Sequence, residues 1–542
     1  MYPFNPELHK NSVTVLKNIF ITIQMTLQVF SVGINFETVN DALENLSGWI
    51  PATYKLFTAF MYVFAPLLTA SFLLSFFQNI SSYRQLLFNR NKNCLIFSDL
   101  NEKSLTLAKS KLAANLQSKR KAVAIFANVN VSAGEPSAEL INMAKQMGGI
   151  LFKNNILYIQ LRCISKKAKI DFFVCGNDDA ENIENALNLH NKYSDKSNAT
   201  LFVFSDSVCS ELLLSGKNGA IKVRRIDEAQ SLIYHTLYER GNEIFESAYN
   251  SDNNKIITAV ILGLGQYGSE MLKALTWFTQ MDGYDVILHV FDKDEKSEAK
   301  FRIKCPELLD DVHNKSKIIG EAQYTIVFHS GTDVDTCDFE SEIKKIEHIS
   351  YVFVSLGDDD KNIEKAVEIR RYCKRLGMSP KIHSITADSR KTSSLRFAAN
   401  HANEPYNIDF IGDLETLYSD SVVVNSDLEK EALTRHLKWG TEESFWKYNY
   451  YYRSSLASVI HKKMKIHCGI KGADKVPEGR TPAEKLSYRI LEHRRWNAYM
   501  RSDGYVYSGS TDKSTRNDMA KINNLLVPFD ELPDNEKAKD DD

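Results

Sequence analysis

Two stretches near the start of the chain are almost continuously apolar, and from about residue 92 short apolar runs alternate with amphipathic segments. The first stretches are residues 13–34 (VTVLKNIFITIQMTLQVFSVGI) and 54–77 (YKLFTAFMYVFAPLLTASFLLSFF). Each reaches the ~20 residues that a helix needs to cross a hydrocarbon core of about 30 Å. They predict a two-helix transmembrane region over residues 1–84, in contact with membrane lipid. Lys17, near the start of the first, can snorkel. No small-residue cleavage site marks a signal peptide. Arg84, Arg90 and Lys92 follow the second stretch, and Lys10 and Lys17 accompany the first. The segment between them carries Glu37, Asp41 and Glu44 and no Lys or Arg. The positive-inside rule then places both termini in the cytoplasm. Gln24, Gln28 and Ser31 recur at helical spacing. They fit either a pore lining in an oligomer or hydrogen bonds between helices of a plain anchor. No T-V-G-Y-G filter precedes the second stretch, which argues against potassium selectivity.

The remaining pattern is that of an α/β protein. Strand candidates are NCLIFSD, KAVAIFAN, ILYIQLRCI, IDFFVCG and TLFVFSD, then ITAVILGLG, DVILHVFD, YTIVFHS, ISYVFVSLG and PKIHSITA. Short apolar strands alternating with helices predict parallel sheets covered on both faces. The two sets form a repeat. FFVCGNDDAENIENAL (172–187) aligns without a gap on VFVSLGDDDKNIEKAV (352–367). Asp178, Asp179, Asn182, Ile183, Glu184 and Ala186 meet Asp358, Asp359, Asn362, Ile363, Glu364 and Ala366. We therefore divide the chain into residues 1–84, a Rossmann-like unit over 85–250, a second over 251–436, and a small, mostly helical region over 437–542.

Candidate chemistry is concentrated in two places. Gly263, Gly265 and Gly268 form G-x-G-x-x-G between a predicted strand and a predicted helix. Such a turn lets the backbone approach a pyrophosphate at the helix N-terminus. Asp292 closes the next strand, where an acid can hold ribose hydroxyls. The expected cofactor is NAD(H) or another nucleotide, although a turn of this kind also serves a purely structural role. The first unit reads IFSDLNEKSL at the matching place. Its glycines are missing, and Asp99 and Glu102 would repel a phosphate, so that unit is read as degenerate. Near the C-terminus, Arg494, Arg495 and Arg501 accompany Trp496, Tyr505 and Tyr507. Aromatics stack on a base and arginines fork onto phosphate, which suits a nucleotide-derived ligand. The same residues also fit an aromatic core with a solvated basic face.

Residues 90–430 resemble the RCK/TrkA-N regulatory domains of potassium channels and transporters. Gly263, Gly265, Gly268, Asp292, VSLGDDDKNIEKA and IDFIGDLETLY (408–418) carry the likeness. It implies dimer-forming Rossmann modules that bind nucleotides. The last hundred or so residues resemble the RyR domain. The family pattern is H-x-x-W, then G-W-x-Y-G, then L-V-P-[FYW]-x-x-L-P. Here it is met by His493 and Trp496; by Gly504, Tyr505, Tyr507 and Gly509; and by Leu526, Val527, Pro528, Phe529, Leu532 and Pro533. Tyr505 replaces the family's Trp, and Ser508 is an added residue. The resemblance implies a bacterial inner-membrane effector or channel, gated by a nucleotide-derived signal and acting in anti-phage defence by membrane disruption. The alternative is an RCK-type potassium channel or transport regulator sensing NAD(H) or ATP. A homo-oligomer, dimer or tetramer, is expected in either case.

Charge and cysteine content narrow the picture. The formal net charge of −2 gives no general attraction to nucleic acid, so no DNA or RNA partner is expected. The 8 cysteines include no C-x-x-C pair, and neither a zinc site nor a redox motif is indicated. His383, His401 and His436 stand apart in the sequence. With no acid/base constellation after the glycine turn, no catalytic residue is assigned and the protein is read as a non-enzyme.

Overall fold

The computed structural model describes residues 80–129, 136–207, 219–252, 254–309 and 323–541, together with a few positions between 20 and 65. The alternating pattern becomes two parallel sheets. The first uses β1 (Asn93–Phe97), β2 (Ala122–Phe126), β3 (Ile170–Val174), β4 (Ala199–Phe204) and β5 (Lys222–Ile226), side by side in the order β2-β1-β3-β4-β5. Helices α1 (Glu102–Ala114) and α2 (Asp179–Tyr193) lie between its strands in sequence, and α3 (Glu228–Arg240) follows β5. The second uses β6 (Lys255–Leu262), β7 (Tyr284–Asp292), β8 (Thr325–Ser330), β9 (Ile349–Val354), β10 (Lys381–Ile385) and β11 (Ile408–Ile411). These run β8-β7-β6-β9-β10-β11. That is the 3-2-1-4-5-6 order of a doubly wound, Rossmann-type sheet. Helix α4 (Gln266–Phe278) follows β6, and α5 (Asp359–Arg375) follows β9.

The central strands are apolar along their whole length because both faces are covered. Val260, Leu262, Phe291, Val352 and Val354 are buried together beneath Ala366 and Ile369 of α5. The repeat has a physical cause. Asp178 caps α2 by accepting from Glu181 N at 2.9 Å, and Asp358 caps α5 by accepting from Lys361 N at 3.0 Å. Asn182 accepts from Gly176 N and donates to Phe204 O, while Asn362 accepts from Leu356 N and donates to Ile385 O. In each half one buried Asn ties the end of a strand to the end of its neighbour. Ala186 and Ala366 are both fully buried.

One strand expectation changes. Within ILYIQLRCI, residues Ile156–Tyr158 form a 3-10 turn, because Asn155 caps it by accepting from Leu157 N. Conversely, β5 has a charged sequence, KVRRI, that masks a strand. Its Arg224 pairs with Glu429 and its Arg225 with Asp227, so both charges are compensated at the sheet edge.

After β11 come α6 (Asp427–His436), α7 (Asn449–His467) and α8 (Pro482–Ser502). A two-stranded pairing of Val506–Tyr507 with Ile522–Asn523 follows. Helix α8 starts with a capping box at Thr481 and Pro at its first position, a favourable N-terminus. Residues 91–542, apart from 150–153 and 160–164, form one unit that contains both sheets and the C-terminal helices. The other unit comprises residues 1–90, 150–153 and 160–164. In it, Tyr83 meets Phe152 edge-on at 4.9 Å and accepts a hydrogen bond from Gln160 N.

The membrane expectation is corrected. Among the described residues no helix is long and apolar enough to cross a membrane. Apolar composition is not sufficient for a span, which needs ~20 such residues in one continuous helix. The two-helix transmembrane segment, the inner-membrane placement and the channel reading are therefore set aside. Residues 13–34, apart from Phe20, and most of 54–77 lie outside the described residues, as do Gln24, Gln28 and Ser31.

Candidate functional site

The glycine turn lies where the strand order of the second sheet reverses, between β6 and β9. Leu262 pairs with Val354, so Gly263 and Ser355 leave the sheet side by side. Gly263 has φ +87°, and a Cβ there would lie 2.4 Å from Ser355 O. A Cβ on Gly268 would lie 1.9 Å from Gly263 O, so the helix can approach the turn only without a side chain. Gly265 differs from both. It is the N-cap of α4, with extended backbone and no capping side chain, and a Cβ there would meet nothing within 4 Å. Two glycines thus build the turn, while the third faces open space. The first N–H groups of a helix have no partner within it, and their dipole favours an anion.

Asp292 stands at the end of β7, next to the turn. Its Oδ2 accepts from Leu264 N at 2.7 Å and its Oδ1 from Asp294 N at 2.8 Å. Each carboxylate oxygen retains a second lone pair, enough to accept a ribose hydroxyl. Gln266 donates through Nε2 to Asp206 of the first half at 2.8 Å. This brings an acid to the mouth of the turn.

The first half closes the equivalent position with side chains. Asn101 caps α1 and also donates to Cys175 O at 2.8 Å, and Asn128 donates to Asp99 at 3.0 Å. Glycine is replaced there by residues that fill the turn themselves.

The C-terminal candidates are mostly engaged within the protein. Arg494 pairs with Asp282 at 3.1 Å, Arg495 with Glu492 at 2.6 Å and Arg501 with Glu307 at 3.4 Å, and all three arginines are buried. Glu307 also accepts from Tyr507 N at 2.7 Å. Tyr505 is buried with its ring 5.9 Å from that of Tyr450. Trp496 is half-buried and stacks on His493 at 5.8 Å. His493 faces Val527 O at 2.8 Å. Arg494 and Arg501 therefore join the C-terminal helix to the second sheet's half, and Trp496 and Tyr507 are the partly exposed members of the group.

No protein-family model and no curated protein matches this chain.

A charged path links the two candidate regions. Glu270 lies in the first turns of α4, just after the glycines. It binds Lys273 at 2.7 Å and Arg453 of α7 at 3.6 Å. Arg453 also binds Asp503 at 3.3 Å, beside Gly504. Burial raises the Glu270 pKa, but Lys273 and Arg453 outweigh it and hold the carboxyl below its usual range. Arg453, in YYYRSS, is not among the sequence candidates, because its partners Glu270 and Asp503 lie far from it in the chain.

The three separate histidines fall in different places. His401 is exposed, His436 is buried 2.9 Å from Ser444 Oγ, and His383 is buried on β10.

Proposed function

We propose that the protein is a nucleotide-binding regulator that reads a nucleotide at the Gly263–Gly268 turn without transforming it. One observation carries this reading. At the topological switch point of the second sheet, the turn is built by Gly263 and Gly268, while Gly265 is left facing open space at a helix N-terminus. Open α/β sheets bind their ligands at this point. Asp292 supports it as the acceptor for a ribose hydroxyl. NAD(H), ATP or an ADP-ribose derivative has the required phosphate and ribose. The Glu270–Arg453–Asp503 path offers a way for occupancy of the turn to reach the RyR-like C-terminal region. A ligand acts along it only through different affinities for two arrangements.

A second reading places a nucleotide-derived signal at the C-terminal aromatics. The partial exposure of Trp496 and Tyr507 favours it, and the internal pairing of the three arginines weakens it. The test is thermal unfolding of the full chain with NAD, NADH, ATP, ADP-ribose and cyclic oligonucleotides, repeated for Gly265→Asp and Trp496→Ala. A bound ligand stabilises by RT ln(1 + [L]/Kd), ~2.7 kcal/mol at a hundredfold excess over Kd. A shift lost only in Gly265→Asp supports the turn. A shift lost only in Trp496→Ala moves the site to the C-terminal region. No shift with any of these ligands refutes both.

A further inference from the structure

Three side chains from separate elements converge away from the glycine turn. Glu243 lies on the short helix Asn242–Glu246, His383 on β10 and Asp409 on β11. One ligand atom from each lies within 4.8 Å of the others. His383 is 1 % exposed, and its Nε2 has no hydrogen-bond partner. That atom is aimed between Glu243 Oε2 and Asp409 Oδ2, 3.8 Å from each, too far for a hydrogen bond. The other ring nitrogen, Nδ1, is 3.0 Å from the buried Tyr351 hydroxyl, which fixes the ring.

We infer that Glu243, His383 and Asp409 form a site for a divalent transition-metal ion. One imidazole and two carboxylates suit Zn²⁺ or Mn²⁺ better than Ca²⁺ or Mg²⁺, which prefer all-oxygen ligands. Metal–ligand distances of ~2.0–2.2 Å place neighbouring ligand atoms about 3.0–3.6 Å apart. A small side-chain movement closes the present 3.8 Å separations. The Tyr351 hydroxyl then holds the imidazole as an outer partner, accepting from Nδ1–H so that the Nε2 lone pair faces the ion.

Lys381 is the built-in competitor. Its ammonium bridges the same Glu243 and Asp409 oxygens, and Arg240 lies 3.4 Å from Asp409. The Lys381 side chain is 22 % exposed, so it can swing into solvent when a doubly charged ion takes its place. The site is thus an exchange site in which metal displaces an internal cation.

The test is calorimetric titration of the full, chelator-treated chain with Zn²⁺ and, separately, Mg²⁺. We expect one Zn²⁺ per chain, no comparable Mg²⁺ binding, and affinity at least tenfold tighter in Lys381→Met. Adding His383→Gln to Lys381→Met should weaken binding at least tenfold. Asp409→Asn provides the same loss if the histidine variant does not fold. Absence of stoichiometric Zn²⁺ binding in Lys381→Met overturns the inference. So does undiminished binding in the double variants, which would place the ion elsewhere.

Discussion

Gly265→Asp separates the fold of the turn from its function. Gly265 has φ −66° and ψ −160°, a conformation open to any residue, and a side chain there meets nothing within 4 Å. As N-cap, an aspartate accepts from the N–H groups of Tyr267 or Gly268 and faces the positive end of α4. Relative to glycine, this contributes about 0.5–1 kcal/mol. The ligand-free variant should therefore melt at or slightly above the parent temperature. The same carboxylate lies where a phosphate would bind. Two like charges ~5 Å apart at an effective dielectric of ~20–40 repel by about 2–3 kcal/mol, or roughly a 30- to 140-fold weaker Kd. Calorimetric titration with NADH and ATP, beside melting curves without ligand, measures both quantities. Gly265→Asn keeps the cap without the charge and should lose less affinity. Equal nucleotide affinity in Gly265→Asp and the parent refutes the turn as a phosphate site. A large drop in the ligand-free melting temperature refutes the capping argument.

Gly268→Ala should behave oppositely: its Cβ would lie 1.9 Å from Gly263 O, costing at least about 2–3 kcal/mol in urea unfolding. Asp206→Asn removes the acid beside Gln266 and should tighten nucleotide binding severalfold with little change in stability, as read by titration. Asn362→Ala strands the Leu356 N–H and Ile385 O groups it now serves; urea unfolding should show a loss of about 2–4 kcal/mol. His461 is fully buried, and desolvation, only partly opposed by Glu492, lowers its pKa from 6.5 to about 4. Because the unfolded histidine binds its proton more readily, stability is full above pH ~6.5 and falls by about 3 kcal/mol as pH drops toward 4. His461→Gln should flatten that part of a stability–pH curve, and an unchanged slope counts against the assignment.

Features that depend on neighbouring residues are legible in the amino-acid sequence alone. The parallel α/β pattern follows from short apolar strands between helices, and the glycine turn from backbone constraints a few residues apart. The aspartate caps and bridging asparagines were visible as a repeat because both halves solve the same local problem. Tertiary structure decided how charges are used. The sequence grouped Arg494, Arg495 and Arg501 around aromatics as one ligand face, yet Arg494 meets an acid 212 positions away and Arg501 one 194 away. Likewise β5 is not among the strand candidates: its charged sequence hides it, because Glu429, the partner of Arg224, lies 205 positions away. The gathering of Glu243, His383 and Asp409 has the same cause. Local periodicity selects helices and strands, but which charges neutralise one another is set only when distant segments are brought together and water is removed from between them.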